Sequence, residues 1–470
     1  MTRYAFVKLA VTLLLLPGSQ FVDAAEPLQA GVAGVDVTPP VGYRMSGYFN
    51  ERLNTGVKDS LHARALVLRQ GDRRAAIVVC DLMGVPRSVT GPAREQASEA
   101  TGIPAENIAI AATHSHTGPM YFDALRNYYH RRAVERLGRD PYETIDYSAE
   151  LTTNLVKAIR EANDSLHPIE LAAGNAHENR LSFNRRFHMR DGTVRFNPGE
   201  RSENPNILRP AGPIDPQVGI VTITEPGATK PSAMLAAFAL HLDTLSGTEY
   251  SADFPHVAEV KLRATFGPEF DFIFGAGTCG DINHLDVSAG PTRQTAEIGE
   301  LLAETIGGAV ATKKLPVIAA PSLAVRHAII EAPLQHYPPA EVAAALENMA
   351  LVGGRELSFL DQVQAYKITF LQEFQGSKTI PLEVQAFRLS DDVAIVTLPS
   401  EVFVEIGLAI KAASPFPTTI VISMANDYIG YIPTRKACAE GSYETVNSIV
   451  EPGAGEMLVE AAARILKELK

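Results

Sequence analysis

Two histidines separated by one residue, His114 and His116, have the types and the spacing to do chemistry together. They directly follow the apolar run Ile108–Ala112, and the pair Gly118-Pro119 that comes next would end a strand. Alternate side chains of a strand project from the same face, so both imidazoles would meet one ligand if the strand continues this far. They would then act as paired metal ligands, or as one ligand and one acid/base group. Solvent-facing or hydrogen-bonded core histidines are the structural alternative.

A third histidine, His241, closes the apolar run Ala233–Leu240 in a similar way. A single histidine on an apolar strand is more often a hydrogen-bonded core residue than a ligand. Two such strand ends in a chain with 12 histidines favour a shared metal site. The chain has only three cysteines, which exclude a disulfide scaffold and a zinc site built on cysteine pairs. Any metal site must therefore use histidine and carboxylate ligands.

Two later apolar runs also lead into polar side chains. Glu401 follows the run Val393–Leu398 and would be a ligand, a base, or the first residue of a helix capped by Ser400. Tyr431 follows the run Thr419–Met424 within a turn that contains a second tyrosine. A surface position is the structural alternative for such turn aromatics.

The elements that must position these residues alternate between strand-like apolar runs and segments of helical periodicity. This alternation predicts an α/β fold of layered, mixed β-sheets flanked by helices, with active-site residues beyond strand ends. The segment Leu171–Pro213, rich in Asn, Arg, Gly and Pro, is predicted to be a loop. No linker divides the sequence, so we expect one catalytic domain over residues 25–470. The predicted helices are Val89–Thr101, Asp146–Asn163, Val257–Phe266, Arg293–Thr312, Pro339–Met349 and Gly453–Glu468.

Composition limits the classes of function. Acidic residues outnumber Lys plus Arg by 54 to 42, which gives a net charge of −12. This balance argues against a nucleic-acid partner, because binding to phosphates requires an excess of Lys and Arg. Hydrophobic residues make up 46% of the chain, enough to bury a core and to exclude global disorder.

Residues 1–24 have the composition of a secretory signal peptide. Arg3 and Lys8 make the start positive, the run Leu9–Pro17 is apolar, and Val22 and Ala24 place small residues at the cleavage positions. The apolar run is shorter than the roughly 20 residues of a membrane span. An uncleaved anchor is the alternative. No later run is long enough to span a bilayer, so we expect an exported protein without a stable membrane span.

The order of these motifs resembles the neutral (non-lysosomal) ceramidase family, specifically its N-terminal catalytic domain. The string Thr-His-x-His-x-Gly-Pro around His114 is fairly specific, and the resemblance covers nearly the whole mature chain. The matching segments are Gly31–Pro40, Met45–Tyr48, Leu61–Leu68, Asp81-Leu82, Ala112–Pro119 and the region up to Tyr443.

The resemblance implies one zinc ion per chain, bound by two histidines, one glutamate and one tyrosine. Zinc accepts nitrogen and oxygen ligands in tetrahedral geometry and lowers the pKa of bound water to about 7. Asp81 and Asp281 are predicted to orient the ligand imidazoles from a second layer. By motif, the four ligands fall on His114, His241, Glu401 and Tyr431.

The same resemblance implies three catalytic side chains. His116 would face the substrate carbonyl and exchange protons. Arg185 would be the active-site arginine, with Arg180 as the alternative. Tyr443 would lie near the mouth of the active site.

The sequence departs from the family in three respects. Within the glycine-rich turn Phe274–Asn283, Gly277 stands where the family has a serine once assigned as nucleophile, so a serine-acyl mechanism finds no support. We expect no counterpart of the family's C-terminal immunoglobulin-like domain. No long insertion supplies a lipid-docking surface, which puts the binding of sphingolipid tails in question.

Together these observations predict an exported, zinc-dependent hydrolase that cleaves a linear amide bond with metal-activated water. The substrate would be a small-molecule or lipid amide, which implies a role in sphingolipid metabolism. A metal hydrolase of another amide, ester or sugar-derived compound is one alternative. An inactive binding protein on the same fold is the other, and the intact ligand set argues against it.

Overall fold

The computed structural model describes residues 26–288, 292–312 and 315–470, so the predicted signal peptide at 1–24 lies outside the described residues. No helix within these ranges is both long enough and apolar enough to cross a lipid bilayer. The helices of the described residues are α1 Arg87–Thr101, α2 Asp123–Leu137, α3 Tyr147–Asp164, α4 Phe254–Phe266, α5 Thr295–Ala311, α6 Pro339–Asn348, α7 Phe359–Leu371, α8 Val404–Ala413, α9 Arg435–Glu440, α10 Tyr443–Val446 and α11 Ala454–Leu469.

Strands run through the whole described part of the chain and vary from two to ten residues. In chain order they are β1 Gln29–Asp36, β2 Arg44–Met45, β3 Arg52–Leu53, β4 Gly56–Val57, β5 His62–Gln70, β6 Arg73–Cys80, β7 Ile108–Ala112, β8 His167–Pro168, β9 Glu170–His177, β10 Phe183–Asn184, β11 Arg186–Met189, β12 Val194–Phe196, β13 Ile207–Pro210, β14 Gln217–Thr224, β15 Ala233–Phe238, β16 Glu249–Tyr250, β17 Asp271–Ala276, β18 Ile282–Asn283, β19 Ala324–Pro333, β20 Thr379–Arg388, β21 Val393–Thr397, β22 Glu401–Val402, β23 Thr418–Ile422 and β24 Tyr431–Ile432.

Three larger sheets organise these strands. Their strand orders are β7-β6-β5-β1-β8, β17-β15-β14-β9 and β19-β20-β21-β23. Most neighbours are antiparallel, but each sheet contains one parallel pair: β6 with β7, β15 with β17, and β21 with β23. The carboxyl ends of parallel strands meet at one edge of a sheet, so each sheet has one edge where two chain segments leave together.

These parallel pairs explain why the predicted functional residues can meet. His114 and His116 follow β7, and His241 follows β15. Glu401 follows β21, and Tyr431 follows β23. The short strands β22 and β24 then pair in parallel with Glu401 opposite Tyr431, which places these two residues side by side.

The three sheets share one apolar core. Buried aliphatic side chains from all three meet there, and small residues let the sheets approach closely. A Cβ atom at Gly275 of β17 would lie 2.9 Å from Cγ1 of Ile422 on β23, so only glycine fits at this contact. Members of this core include Ile77, Val79, Ala111, Val221, Leu235, Ile273, Phe387, Ile395 and Ile420.

Helices cover the outer faces of the sheets: α1 and α3 the first, α4 and α5 the second, and α8 and α11 the third. Helix α11 shows why the sequence folds this way, because its apolar residues recur at helical spacing and form one buried face. This arrangement confirms the predicted α/β class of layered, mixed sheets flanked by helices. The buried residues of α11 include Leu458, Ala461, Ala462, Ile465, Leu466 and Leu469.

The prediction that Leu171–Pro213 is a loop is wrong for much of its length. Its first residues belong to β9, which pairs with β14 in register along all eight residues. The strand is rich in Ala and Gly, so its apolar alternation is weak in the sequence. The small residues are needed because Leu315 packs on it: a Cβ atom at Gly174 would lie 3.2 Å from Cδ2 of Leu315. Further along, β11, β12 and β13 form a small sheet.

Gly277 fixes the distance between the ends of β15 and β17. Its amide donates to the carbonyl of Phe238, and a Cβ atom at this position would lie 2.8 Å from the amide nitrogen of Ala239. The obstructing atoms are backbone atoms, which cannot rotate away as a side chain can. A serine at position 277 therefore has no space here, in agreement with the absence of a serine nucleophile at this position.

Replacing Gly277 with alanine should lower the free energy of unfolding by about 1–3 kcal/mol, the usual range for overpacking a core. Gly308→Ala is the matched control, since Gly308 lies in α5 with open space around its Cα atom. Alanine there should raise stability by about 0.5–1 kcal/mol, because glycine is the poorer helix former. Equilibrium urea unfolding of both variants measures the difference, and equal midpoints for the two would contradict this packing.

Candidate metal centre

Three histidines from distant parts of the chain converge at one buried point. Nε2 of His114 lies 3.0 Å from Nε2 of His241 and 3.2 Å from Nε2 of His116. His114 and His241 are almost fully buried, at 1% and 0% exposure. The structure thus brings together the three histidines that the sequence analysis selected from 12.

The backbone sets the tautomers of two of these rings. Nδ1 of His114 lies 2.8 Å from the carbonyl oxygen of Met83, and Nδ1 of His241 lies 3.1 Å from that of Cys279. A carbonyl oxygen can only accept a hydrogen bond, so both Nδ1 atoms carry protons. With the Nδ1 protons engaged in this way, the two Nε2 atoms face each other across 3.0 Å with their lone pairs. Only a proton or a metal cation between them makes this arrangement favourable.

Glu401 adds a carboxylate to the same point. Its Oε2 lies 3.3 Å from Nε2 of His114 and 3.7 Å from Nε2 of His241, while its Oε1 accepts a hydrogen bond of 2.7 Å from the hydroxyl of Tyr428. Among the described residues, Oε2 has no hydrogen-bond donor. Burial opposes ionisation of this carboxyl, while the hydrogen bond from the Tyr428 hydroxyl favours the carboxylate form. A buried carboxylate oxygen without a donor is costly unless a cation meets it.

Tyr431 reaches the site with an arginine behind it. Nη2 of Arg185 donates to the Tyr431 hydroxyl at 3.0 Å and to the carbonyl of Gly280 at 2.9 Å, and Nε donates to Glu444 at 2.8 Å. The Tyr431 hydroxyl in turn lies 3.5 Å from that of Tyr443. The guanidinium therefore stabilises negative charge on the phenol oxygen. It is itself compensated by the fully buried Glu444.

The alternative arginine lies elsewhere. Arg180 forms an ion pair with Glu178, and its side chain is 48% exposed. Arg185 is 3% exposed and lies within 6 Å of the rings of Phe196, Tyr431 and Tyr443. Only Arg185 is therefore close enough to act on the groups of the site.

His116 differs from the other two histidines. Its Nδ1 is buried and has no partner among the described residues, so no carbonyl fixes its tautomer. Burial and the neighbouring His114 lower the pKa of the ring to about 3, which keeps it neutral. The Arg52 guanidinium holds its backbone carbonyl at 2.8 Å, and Tyr48 lies edge-on to its ring. His116 is thus positioned through its backbone, its Nε2 lies beside that of His114, and its Nδ1 remains available.

The local backbone differs from the predicted strand. Strand β7 ends at Ala112, and His114 adopts a left-handed conformation with φ 73°. The amides of His114 and Ser115 both donate to the carbonyl of Leu82, which holds this turn against the end of β6. The two imidazoles therefore converge from a strained turn and not from one face of a strand.

The predicted second-layer carboxylates do not contact the imidazoles, so this prediction is wrong. Asp81 binds Arg64 and the amide of His62, and Asp281 binds Asn184 and the amide of Val404. The carbonyl oxygens of residues 83 and 279 orient the imidazoles instead.

Two functional side chains escaped the sequence analysis as individual residues. Tyr428, which bonds Glu401, lies three residues before Tyr431 in the same turn. Glu444, which bonds Arg185, directly follows Tyr443. Their proximity to predicted residues was the only signal in the sequence.

The donor set fits zinc. Two neutral imidazole nitrogens and one carboxylate oxygen, with a phenol nearby, match zinc's nitrogen and oxygen preference. Their separations of 3.0, 3.3 and 3.7 Å suit the edges of a tetrahedron with bonds of roughly 2.0–2.2 Å. Metal-bound histidines usually donate their second ring nitrogen to a carbonyl or carboxylate, as His114 and His241 do. His116 lacks such a partner and is the poorer ligand.

His130, Asp140 and Glu143 form a second group of potential ligands. The negative charge of its two carboxylates is already neutralised by arginines. The buried Arg44 lies between the two carboxylates, and Arg126 also pairs with Glu143. Cationic side chains thus occupy the place that a metal ion would take.

Comparison with known proteins identifies the family of this chain. The family model for neutral/alkaline non-lysosomal ceramidase, N-terminal, matches residues 28–262, which is half of the chain. The chain therefore belongs to this family, and membership makes it a ceramidase-like hydrolase. No curated protein matches the sequence.

Two solved structures share the fold. The neutral ceramidase from Pseudomonas aeruginosa superposes with a TM-score of 0.69 at 20% identity, covering 95% of this chain and 75% of that one. A ceramidase complexed with C2 gives a TM-score of 0.67 at 18% identity, covering 94% of this chain and 76% of that one. At these identities the likeness concerns the fold.

Metal analysis tests the donor set. Protein equilibrated with zinc and then dialysed should retain about one zinc ion per chain, as expected for a mononuclear site. His241→Ala removes a lone pair that nothing else replaces. It should weaken zinc binding by more than the roughly 10–100-fold typical of losing an outer-layer partner.

His130→Ala is the control, because His130 belongs to the cluster that arginines compensate. Plasma mass spectrometry and competition with a chromogenic chelator give stoichiometry and affinity. Zinc lost from His130→Ala but kept by His241→Ala would refute the assignment.

Proposed function

We propose that this chain is a zinc-dependent amidohydrolase that cleaves a linear N-acyl amide, as the ceramidase family does. The observation that carries the proposal is the buried meeting point of two imidazole lone pairs and an unpaired carboxylate oxygen. We also propose that residues 1–24 direct export and that residues 25–470 act as one catalytic domain.

The residues that would hold the metal are His114, His241, Glu401 and Tyr431. Zinc bound there supplies a Lewis acid and a water molecule with a pKa near 7. The carbonyls of Met83 and Cys279 keep the imidazoles in the ligand tautomer. These contacts are made before substrate arrives, so the site is preorganised.

Proton transfer falls to His116. Its Nδ1 is buried with no partner among the described residues, so one ring nitrogen is open to a substrate or a water molecule. A neutral imidazole can accept a proton from the attacking water and return it to the leaving nitrogen. Nη2 of Arg185 donates to the Tyr431 oxygen, where it would stabilise negative charge, while Glu444 and the Gly280 carbonyl hold the guanidinium in place.

The proposed reaction is the hydrolysis of an amide bond. Water adds its oxygen to the acyl carbon, the C–N bond breaks, and the nitrogen receives a proton. The products are a carboxylate and a free amine. An exported enzyme of this kind would act on amides outside the cytoplasm.

Replacing His116 separates chemistry from metal binding. His116→Ala should keep about one zinc ion but lose roughly 10²–10⁴-fold in kcat, the usual contribution of a general acid/base. His114→Ala should lose both metal and activity. The assay is release of free carboxylic acid from N-acyl amides, ceramide included, with a zinc chelator and zinc restoration as controls.

Two outcomes would overturn the proposal. One is full activity in metal-free protein. The other is a zinc-loaded protein that binds amides but hydrolyses none, which would favour a binding protein on this fold.

A further inference from the structure

The cavity above the metal centre is narrow. Its volume is about 50 Å³, and His114, His116 and Glu401 lie along its wall. A cavity needs roughly 10–15 Å³ to hold one water molecule, so this space takes only a small group. The reacting amide and one short substituent would enter it, and the rest of a larger substrate would remain outside.

Aromatic rings close this cavity. Phe49 and Tyr366 both line it, with ring centroids 5.4 Å apart. Phe359 lies over Phe49 and Tyr443 at 6.0 and 5.2 Å, and it is 43% exposed. The tyrosines Tyr428 and Tyr431 complete an aromatic wall. Such rings attract an organic cation through their faces.

Besides Glu401, a second carboxyl group lines the cavity, that of Asp123. Its Oδ1 accepts from the amides of Leu125 and Arg126 at 2.8 and 3.2 Å and so caps α2. Its Oδ2 has only the Tyr366 hydroxyl, at 3.4 Å, which is long for an O–H···O bond. The backbone at Asp123 is left-handed, with φ 78°. One oxygen thus holds the helix, and the other has a single long hydrogen bond, from the Tyr366 hydroxyl.

No basic side chain pairs with Asp123 among the described residues. The nearest cationic residue in sequence, Arg126, turns its guanidinium to Glu143. The acidic Glu373 adds negative potential at Asp123, and burial raises the pKa of the Asp123 carboxyl to about 7. A cation bound beside this carboxyl would offset the cost of its burial and favour the carboxylate form.

We propose that the substrate's amine half carries a short aminoalkyl arm whose ammonium group binds Oδ2 of Asp123 inside this cavity. The inference rests on the proposed function and narrows its substrate class to acyl amides of diamines. The arm would pass the aromatic wall, while the acyl group remains towards Phe359, which packs on Phe49 and Tyr443 and is 43% exposed. The net charge of −12 would also attract such a cation.

Three isosteric amides test this directly. N-acetyl-1,2-diaminoethane, N-acetyl-2-aminoethanol and N-propylacetamide share the acetyl group and the length of the arm, which ends in ammonium, hydroxyl or methyl. The holoenzyme should prefer the ammonium compound over the methyl compound by at least tenfold in kcat/KM, and this preference should appear mainly in KM. The affinities of the three compounds, measured by calorimetry, should follow the same order.

Asp123→Asn is the informative variant. Asparagine caps a helix as well as aspartate does, so the fold should survive. The preference for ammonium should fall below threefold. Asp146→Asn, which removes the charge of the residue that caps α3 through the Ala149 amide, is the matched control and should keep the full preference.

The outcomes separate the two proposals. Equal hydrolysis of all three amides, or a preference for the hydroxyl or methyl compound, would overturn the inference and leave the amidohydrolase standing. Hydrolysis of none of them, together with Asp123-dependent binding of the ammonium compound, would support the inference and contradict the proposed chemistry. An ammonium preference that Asp123→Asn retains would also overturn the inference.

Discussion

Two imidazole lone pairs and one carboxylate oxygen point at the same buried spot, and the rest of the structure is arranged around this constraint. His114 and His241 cannot relieve it by changing tautomer, because backbone carbonyls hold their other nitrogens. Leaving a buried polar group without a partner costs about 1–3 kcal/mol, and more when the group is charged. A cation at the centre turns three such costs into favourable contacts.

The fold meets this constraint by bringing three sheets to one point. Each sheet contributes one parallel strand pair, and the segments leaving those pairs carry the donors and the carbonyls that orient them. The turns are strained: His114, Ser400, Met424 and Asn426 all have positive φ. Positions of this kind persist only where the surrounding structure enforces them, and they cluster at functional sites. The shared apolar core between the sheets provides that enforcement.

Much of this was predictable from sequence, for identifiable reasons. Strand β7 matches its prediction residue for residue, since five consecutive small or branched apolar residues, Ile108–Ala112, read clearly as a buried strand. The histidines stood out because their types and spacing suit a metal site and they follow apolar runs. Strand β9 was missed because its alanines and glycine show little contrast between faces.

Other features had no local signal at all. The roles of the Met83 and Cys279 carbonyls depend on backbone atoms, which every residue has. The meeting of Arg185 with Glu444 joins residues 259 positions apart. The predicted strand through His114 was wrong because its left-handed turn depends on contacts with Leu82 in a neighbouring strand end. Such long-range contacts can be recognised only once the fold is known.

Anomalous diffraction from a crystal of the zinc-equilibrated protein, recorded on both sides of the zinc edge, tests the central claim most directly. The account predicts one strong zinc peak bounded by Nε2 of His114, Nε2 of His241 and Oε2 of Glu401, at roughly 2.0–2.2 Å from each. Absence of a peak there, or a peak among His130, Asp140 and Glu143 instead, would contradict it.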